Sequence, residues 1–104
     1  MKAFFVPTLL IIVSIPMILE MIPRNGFYGF RTPYTLSSDQ VWYRANRIAG
    51  LALLAAGLFW LALGIGVPLL IPSRQEAAQL VKWYGLASLA AAVGVSFWLT
   101  YRAR

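Results

Sequence analysis

Charged residues are absent from three long stretches of this chain, and these stretches predict its helices. They are residues 3–19, 48–73 and 83–101. A helix needs about 20 apolar residues to cross the hydrocarbon core of a bilayer. We therefore predict an all-α integral membrane protein with a single domain, residues 1–104, and transmembrane helices at about residues 3–22, 46–71 and 83–101.

The first apolar run also fits the central part of a signal peptide. No small-x-small cleavage site follows it, and Ile22-Pro23-Arg24 is a poor substitute. We expect a retained helix, with a kink at Pro16 because proline removes a backbone donor.

Small residues recur at helical spacing along the predicted second and third helices. Gly50, Gly57 and Gly64 are spaced by seven, and the third helix carries Gly85, Ser88, Ala92 and Ser96. Such faces let helices approach closely. We expect the two faces to meet, and we consider a homo-oligomer through them. The alternative is that they reflect only a membrane composition rich in alanine and glycine.

Composition excludes most familiar chemistry. The chain is 61% hydrophobic and 12% charged, and it has neither histidine nor cysteine. The commonest general base and the thiolate nucleophile are therefore missing, so we expect no catalytic residue, no metal site and no cofactor. The net charge of +6 comes from basic residues at the ends of apolar runs. This placement favours the lipid bilayer and its anionic headgroups over nucleic acid as a partner.

The signature segment, residues 23–47, is the polar part between the first two apolar runs. Asn25-Gly26 predicts a turn, and Thr32-Pro33 predicts extended backbone. Ser37 and Gln40 have the spacing of a capping box, so we predict that the second helix starts there. Such a helix is too long for one perpendicular span, and its first two turns should lie at the interface.

The polar side chains of this segment are suited to anion recognition. Arginine side chains can bind a carboxylate or phosphate with two parallel hydrogen bonds. Trp42, Asn46 and Arg47 lie where the membrane should begin. The plain alternative is that these groups only anchor the helices at the interface. Glu20 either lies in interfacial water or pairs with an arginine of this segment.

Lysine and arginine counts predict the orientation. The segment and the carboxyl tail carry six basic residues, against three on the other side. The first loop and the C-terminus should therefore be cytoplasmic.

The order of residues in the signature segment resembles that of the SdpI-like membrane proteins. The residues that carry the resemblance are Asn25, Gly26, Tyr28, Gly29, Arg31, Thr32, Pro33, Thr35, Leu36, Ser37, Trp42, Ala45, Asn46 and Arg47. The resemblance implies a non-enzymatic immunity protein of the bacterial inner membrane, which protects its cell from a membrane-active peptide toxin. Arg31, Trp42 and Asn46 are the positions it implies as the shared core.

Three functions therefore stay open. The first is a protein that binds an amphipathic peptide toxin or a lipid headgroup and confers resistance. The second is a small transporter, or an enzyme acting on lipid or peptide, that uses Glu20 with the arginines of the signature segment. The third is a structural subunit of an oligomer.

Overall fold

The computed structural model describes residues 4–23, 25, 29 and 31–102, and these residues form three α-helices. They are α1 (Phe5–Ile18), α2 (Asp39–Leu70) and α3 (Arg74–Arg102), with a short 3-10 turn at Thr35–Ser37. The prediction of an all-helical chain is confirmed for this part of the sequence. Helices α2 and α3 are long and apolar enough to cross a membrane, whereas α1 is a shorter apolar helix of 14 residues.

Helix α1 ends in a motif that usually contains glycine. The Met21 N–H donates to the Pro16 carbonyl at 3.0 Å, and the Glu20 N–H donates to the Met17 carbonyl at 3.4 Å. This pair of bonds is a Schellman motif, whose residue after the cap is left-handed. Here that residue is Glu20, with φ at 58°. A residue with a Cβ atom pays roughly 1–2 kcal/mol for this conformation.

Helix α2 is capped one residue later than the sequence indicated. The Ser38 hydroxyl accepts a hydrogen bond from the Val41 N–H at 3.2 Å. Ser37 belongs to the 3-10 turn, where its hydroxyl donates to the Tyr34 carbonyl. The predicted capping box of Ser37 and Gln40 is therefore wrong, because the 3-10 turn uses the hydroxyl of Ser37 and Ser38 is the extended residue.

Helix α2 is the middle helix, and the glycines spaced by seven along it lie against α1 and its N-terminal end rather than against α3. A Cβ atom at Gly57 would lie 2.8 Å from Ile11 and 3.0 Å from the Pro7 carbonyl oxygen. A Cβ atom at Gly50 would lie 3.0 Å from the Ser14 carbonyl oxygen, and one at Gly64 would lie 3.0 Å from the ring of Phe4, the residue before α1. The expectation that this face meets the small residues of α3 is wrong. The backbone of α1 comes too close to leave space for side chains here.

Helix α3 packs on another face of α2, antiparallel to it. A three-residue link, 71–73, joins the two helices, so α3 begins nine residues before the predicted span. A Cβ atom at Gly85 would lie 2.3 Å from the Trp60 ring, so the flat indole occupies the space that this glycine leaves. Ala92 and Ser96 are buried on the same side of α3. The small residues of both helices are thus used within the chain, and a homo-oligomer through them stays a prediction.

Candidate functional site

Trp42, Asn46 and Gly29 form a tightly packed cluster at the start of α2. Trp42 is fully buried, and its indole N–H donates to the Ile22 carbonyl at 2.7 Å. The bond ties the chain that follows α1 to the first turn of α2. Asn46 lies one turn further along α2, and its amide donates to the Trp42 carbonyl at 2.9 Å.

Gly29 closes this cluster because only glycine fits its position. Its φ is 103°, a conformation that side chains rarely adopt. A Cβ atom here would lie 2.5 Å from the Asn46 Oδ1 atom and 3.2 Å from two ring carbons of Trp42. The segment therefore touches α2 through bare backbone. Gly29 is a sequence-predicted residue whose environment the structure explains.

Thr32 and Thr35 build the turn that precedes α2. The Thr32 N–H donates to the Thr35 hydroxyl at 2.7 Å, and the Thr35 N–H donates to the Thr32 hydroxyl at 3.1 Å. Thr35 is fully buried. Reciprocal bonds of this kind satisfy backbone donors locally and fix the path of the chain.

The same turn holds the last turn of α3. The Tyr101 hydroxyl donates to the Thr32 hydroxyl at 2.6 Å, and the Tyr34 and Tyr101 rings lie 5.2 Å apart. Arg44 of α2 completes the contact, donating to the Tyr34 hydroxyl at 2.9 Å and to the Thr100 carbonyl at 3.3 Å. An arginine near a helix C-terminus interacts favourably with the helix dipole. This network joins the signature segment, α2 and α3.

Two polar atoms in this network lack a hydrogen-bond partner among the residues that the structure describes. They are Nε of Arg44 and Oγ1 of Thr100, and both are buried. Buried polar groups without partners cost free energy, and they mark places where water or a ligand can bind.

A cavity of about 460 Å³ opens beside the cluster, and all three helices line it. Val13 and Met17 of α1 face Val93 and Phe97 of α3 across a furrow whose floor is α2. Gly29, Arg31 and Thr32 from the signature segment line the same cavity. Arg31 is exposed and lines the cavity, so we place it at the rim of this mostly apolar hollow.

The other residues singled out in the sequence lie outside this cavity. Pro33, Ser37 and Arg47 are exposed. The Asn25 amide donates to the Pro23 carbonyl, and the predicted Asn25-Gly26 turn stays a prediction. Glu20 is exposed at the end of α1. Gly26 and Tyr28 lie outside the described residues, and the roles of all these positions stay predictions.

Arg44 and Tyr34, the two side chains that bind the end of α3, were not predicted as site residues from the sequence. The sequence does hold a signal for Arg44, since it lies two residues after Trp42 and two before Asn46, in the interfacial turns of a membrane helix. A charged residue there needs partners. Which residues serve as these partners depends on how α3 packs back along α2, and local sequence patterns do not predict this packing.

Comparison with known families identifies one that matches most of the chain. The model of the SdpI/YfhL protein family matches residues 21–101. The match starts after α1 and includes the signature segment, α2 and nearly all of α3. No curated protein and no solved structure matches the chain.

Proposed function

Since the chain belongs to the SdpI/YfhL protein family, we propose that it is a binding protein of the immunity class in the bacterial inner membrane. It would act without catalysis, by binding an amphipathic peptide toxin or a lipid headgroup, and so confer resistance. Family membership, together with two helices long enough to span a bilayer, indicates a membrane protein. The ligand and the resistance are the proposed part.

We also propose that the apolar run at about residues 3–22, which contains α1, forms a third span. Its outward side chains are large and apolar, and Phe5, Leu9, Ile12 and Ile15 are all exposed. Such a surface is stable against lipid but unfavourable in water. The lysine and arginine counts favour a cytoplasmic signature segment and C-terminus.

One observation carries the binding proposal: Arg31 lies at the rim of the furrow cavity. The apolar part of an amphiphile would lie between α1 and α3, against Val13 and Phe97. Its anionic group, a peptide carboxylate or a lipid phosphate, would meet the guanidinium of Arg31. A volume of about 460 Å³ falls within the range of ordinary ligand sites.

A resistance assay tests this proposal. Cells lacking the protein are challenged with a panel of membrane-active peptides and complemented with the wild type, Arg31→Ala or Arg47→Ala. Arg47 is a matched control, because it is an exposed arginine of the same segment that does not line the cavity. We expect Arg31→Ala to lose protection at an unchanged membrane level, whereas Arg47→Ala keeps it.

A binding measurement on the purified protein separates the two ligand classes. If the ligand is a peptide, the purified protein should bind the active peptide in detergent without lipid, and Arg31→Ala should weaken that binding. If the ligand is a headgroup, binding should appear only with anionic lipid. Full protection by Arg31→Ala would contradict the proposed site.

A second candidate function rests on Glu20. Strained backbone is concentrated at functional sites, and Glu20 is left-handed. A transporter, or an enzyme acting on lipid or peptide, that uses this carboxylate with the arginines of the signature segment would lose activity in Glu20→Gln. If resistance depends on that activity, Glu20→Gln should also lose protection in the resistance assay, and retained protection would exclude this role for Glu20 in resistance.

A further inference from the structure

A second cavity, of about 620 Å³, lies at the other end of the furrow, where α2 ends and α3 begins. Its walls are mostly apolar, with Trp60 and Pro68 from α2 and Val81 from α3. Arg74 and Lys82 are the charged residues among those that line it. Among the residues that the structure describes, its lining is therefore mostly apolar, with two positive charges and no acid.

The position of Lys82 on α3 places this cavity at the membrane boundary opposite the signature segment. Lys82 and Arg102 are twenty residues apart on one helix, which is about 30 Å at 1.5 Å per residue. A typical hydrocarbon core is about 30 Å thick. When Arg102 lies at one boundary, Lys82 therefore lies at the other, and Arg74 lies about 12 Å further out.

Aromatic contacts agree with this placement. The Lys82 ammonium lies 5.1 Å from the centre of the Trp83 ring, and the Arg102 guanidinium lies 4.9 Å from the centre of the Trp98 ring. Tryptophan and cationic side chains together are typical of both membrane interfaces. The cavity therefore extends from the headgroup layer at Arg74 to the edge of the hydrocarbon core at Trp60.

We propose that this cavity binds one anionic phospholipid of the leaflet opposite the signature segment. An acyl chain lies against Trp60, Pro68 and Val81, and the phosphate lies between Arg74 and Lys82. Charge selects the occupant, because a zwitterionic headgroup would bring its own cation close to these two. The nearby acid, Glu76, lines a separate depression with Gln79 and Leu80, so its carboxylate does not line this cavity.

Native mass spectrometry of the purified full chain tests the charge requirement. The protein in detergent is titrated with phosphatidylglycerol or with phosphatidylcholine carrying the same acyl chains. We expect one phosphatidylglycerol to stay bound, in preference to phosphatidylcholine. The double variant Arg74→Gln/Lys82→Gln should bind phosphatidylglycerol about thirtyfold more weakly, at roughly 1 kcal/mol for each interfacial cation.

Arg102→Gln is the matched control for charge. It removes an interfacial cation that lies over a tryptophan, as Lys82 does, but at the other end of α3 and away from the cavity. Its phosphatidylglycerol affinity should stay within twofold of the wild type. Equal binding of both lipids by the wild type would overturn the proposal, and so would a double variant that binds as well as Arg102→Gln.

A second pair of variants tests the cavity itself. Ala78 is exposed and lines the cavity, so Ala78→Phe fills it while both cations remain. Ala87→Phe places the same ring at an exposed position of α3 outside the cavity. Ala78→Phe should lose most of the bound lipid and Ala87→Phe should not, with unchanged circular dichroism in both. Full lipid binding by Ala78→Phe would show that the acyl chain does not occupy the cavity.

Discussion

Replacing Gly29 by alanine is the sharpest test of the cluster that positions the signature segment. The new methyl group would lie 2.5 Å from the Asn46 Oδ1 atom and 3.2 Å from the Trp42 ring. Trp42 is fully buried and held by its bond to the Ile22 carbonyl, so it has little room to move. The backbone at this position has φ of 103°, which alanine adopts only with strain.

The close contact and the strained backbone both lower the free energy of unfolding. A non-glycine residue in a sparsely populated backbone region costs about 1–3 kcal/mol. Inserting a methyl group into a packed site costs about 1–3 kcal/mol more. The smaller conformational entropy of the unfolded alanine variant offsets about 0.4–1 kcal/mol of this loss of stability. We therefore expect Gly29→Ala to lower the free energy of unfolding by about 3 kcal/mol.

The measurement is an SDS titration of the purified protein in micelles, followed by circular dichroism. Gly94→Ala is the control. In the described structure a Cβ atom at Gly94 meets nothing within 4 Å beyond its own helix backbone. Its free energy of unfolding should rise by up to about 1 kcal/mol, because alanine favours a helix over glycine.

A double variant identifies the contact responsible. In an Asn46→Ala background the Oδ1 atom is gone, so adding Gly29→Ala should cost clearly less than it does in the wild type. A Gly29→Ala protein as stable as the wild type would refute the close approach. An equal cost in both backgrounds would assign the effect to backbone strain and the Trp42 ring alone.

Two further predictions concern α1. Glu20→Gly should raise the free energy of unfolding by about 1 kcal/mol, since it removes a left-handed residue with a Cβ atom. The same SDS titration measures this free energy, and a loss of stability would contradict the Schellman motif. Gly57→Ala should lower it by about 2 kcal/mol, because the new methyl group meets the Pro7 carbonyl oxygen at 3.0 Å and that backbone atom cannot turn away. Gly66→Ala, on the same helix, is the control. Its methyl group meets nothing described within 4 Å beyond the helix itself, so this variant should be at least as stable as the wild type. Equal losses of stability in both glycine variants would refute the close α1–α2 contact.

The sequence by itself determined the helical class, the approximate helices and the family. These properties follow from local information: the length of apolar runs, the exclusion of charge and the order of residues in the signature segment. The same order of residues singled out Gly29, Trp42 and Asn46, which the structure brings into contact. Trp42 and Asn46 lie one helical turn apart, so their contact is local, whereas Gly29 meets them across a longer stretch of chain.

Only the tertiary structure decided which helix fills which face. The glycines of α2 fit either neighbour by pattern, and the close approach of the α1 backbone decided between them. The partners of Arg44, and the two cavities along the furrow, likewise depend on how α3 returns along α2. A periodic pattern gives the face of a helix that is buried, but the partner depends on how two surfaces fit together, and this property belongs to the folded chain.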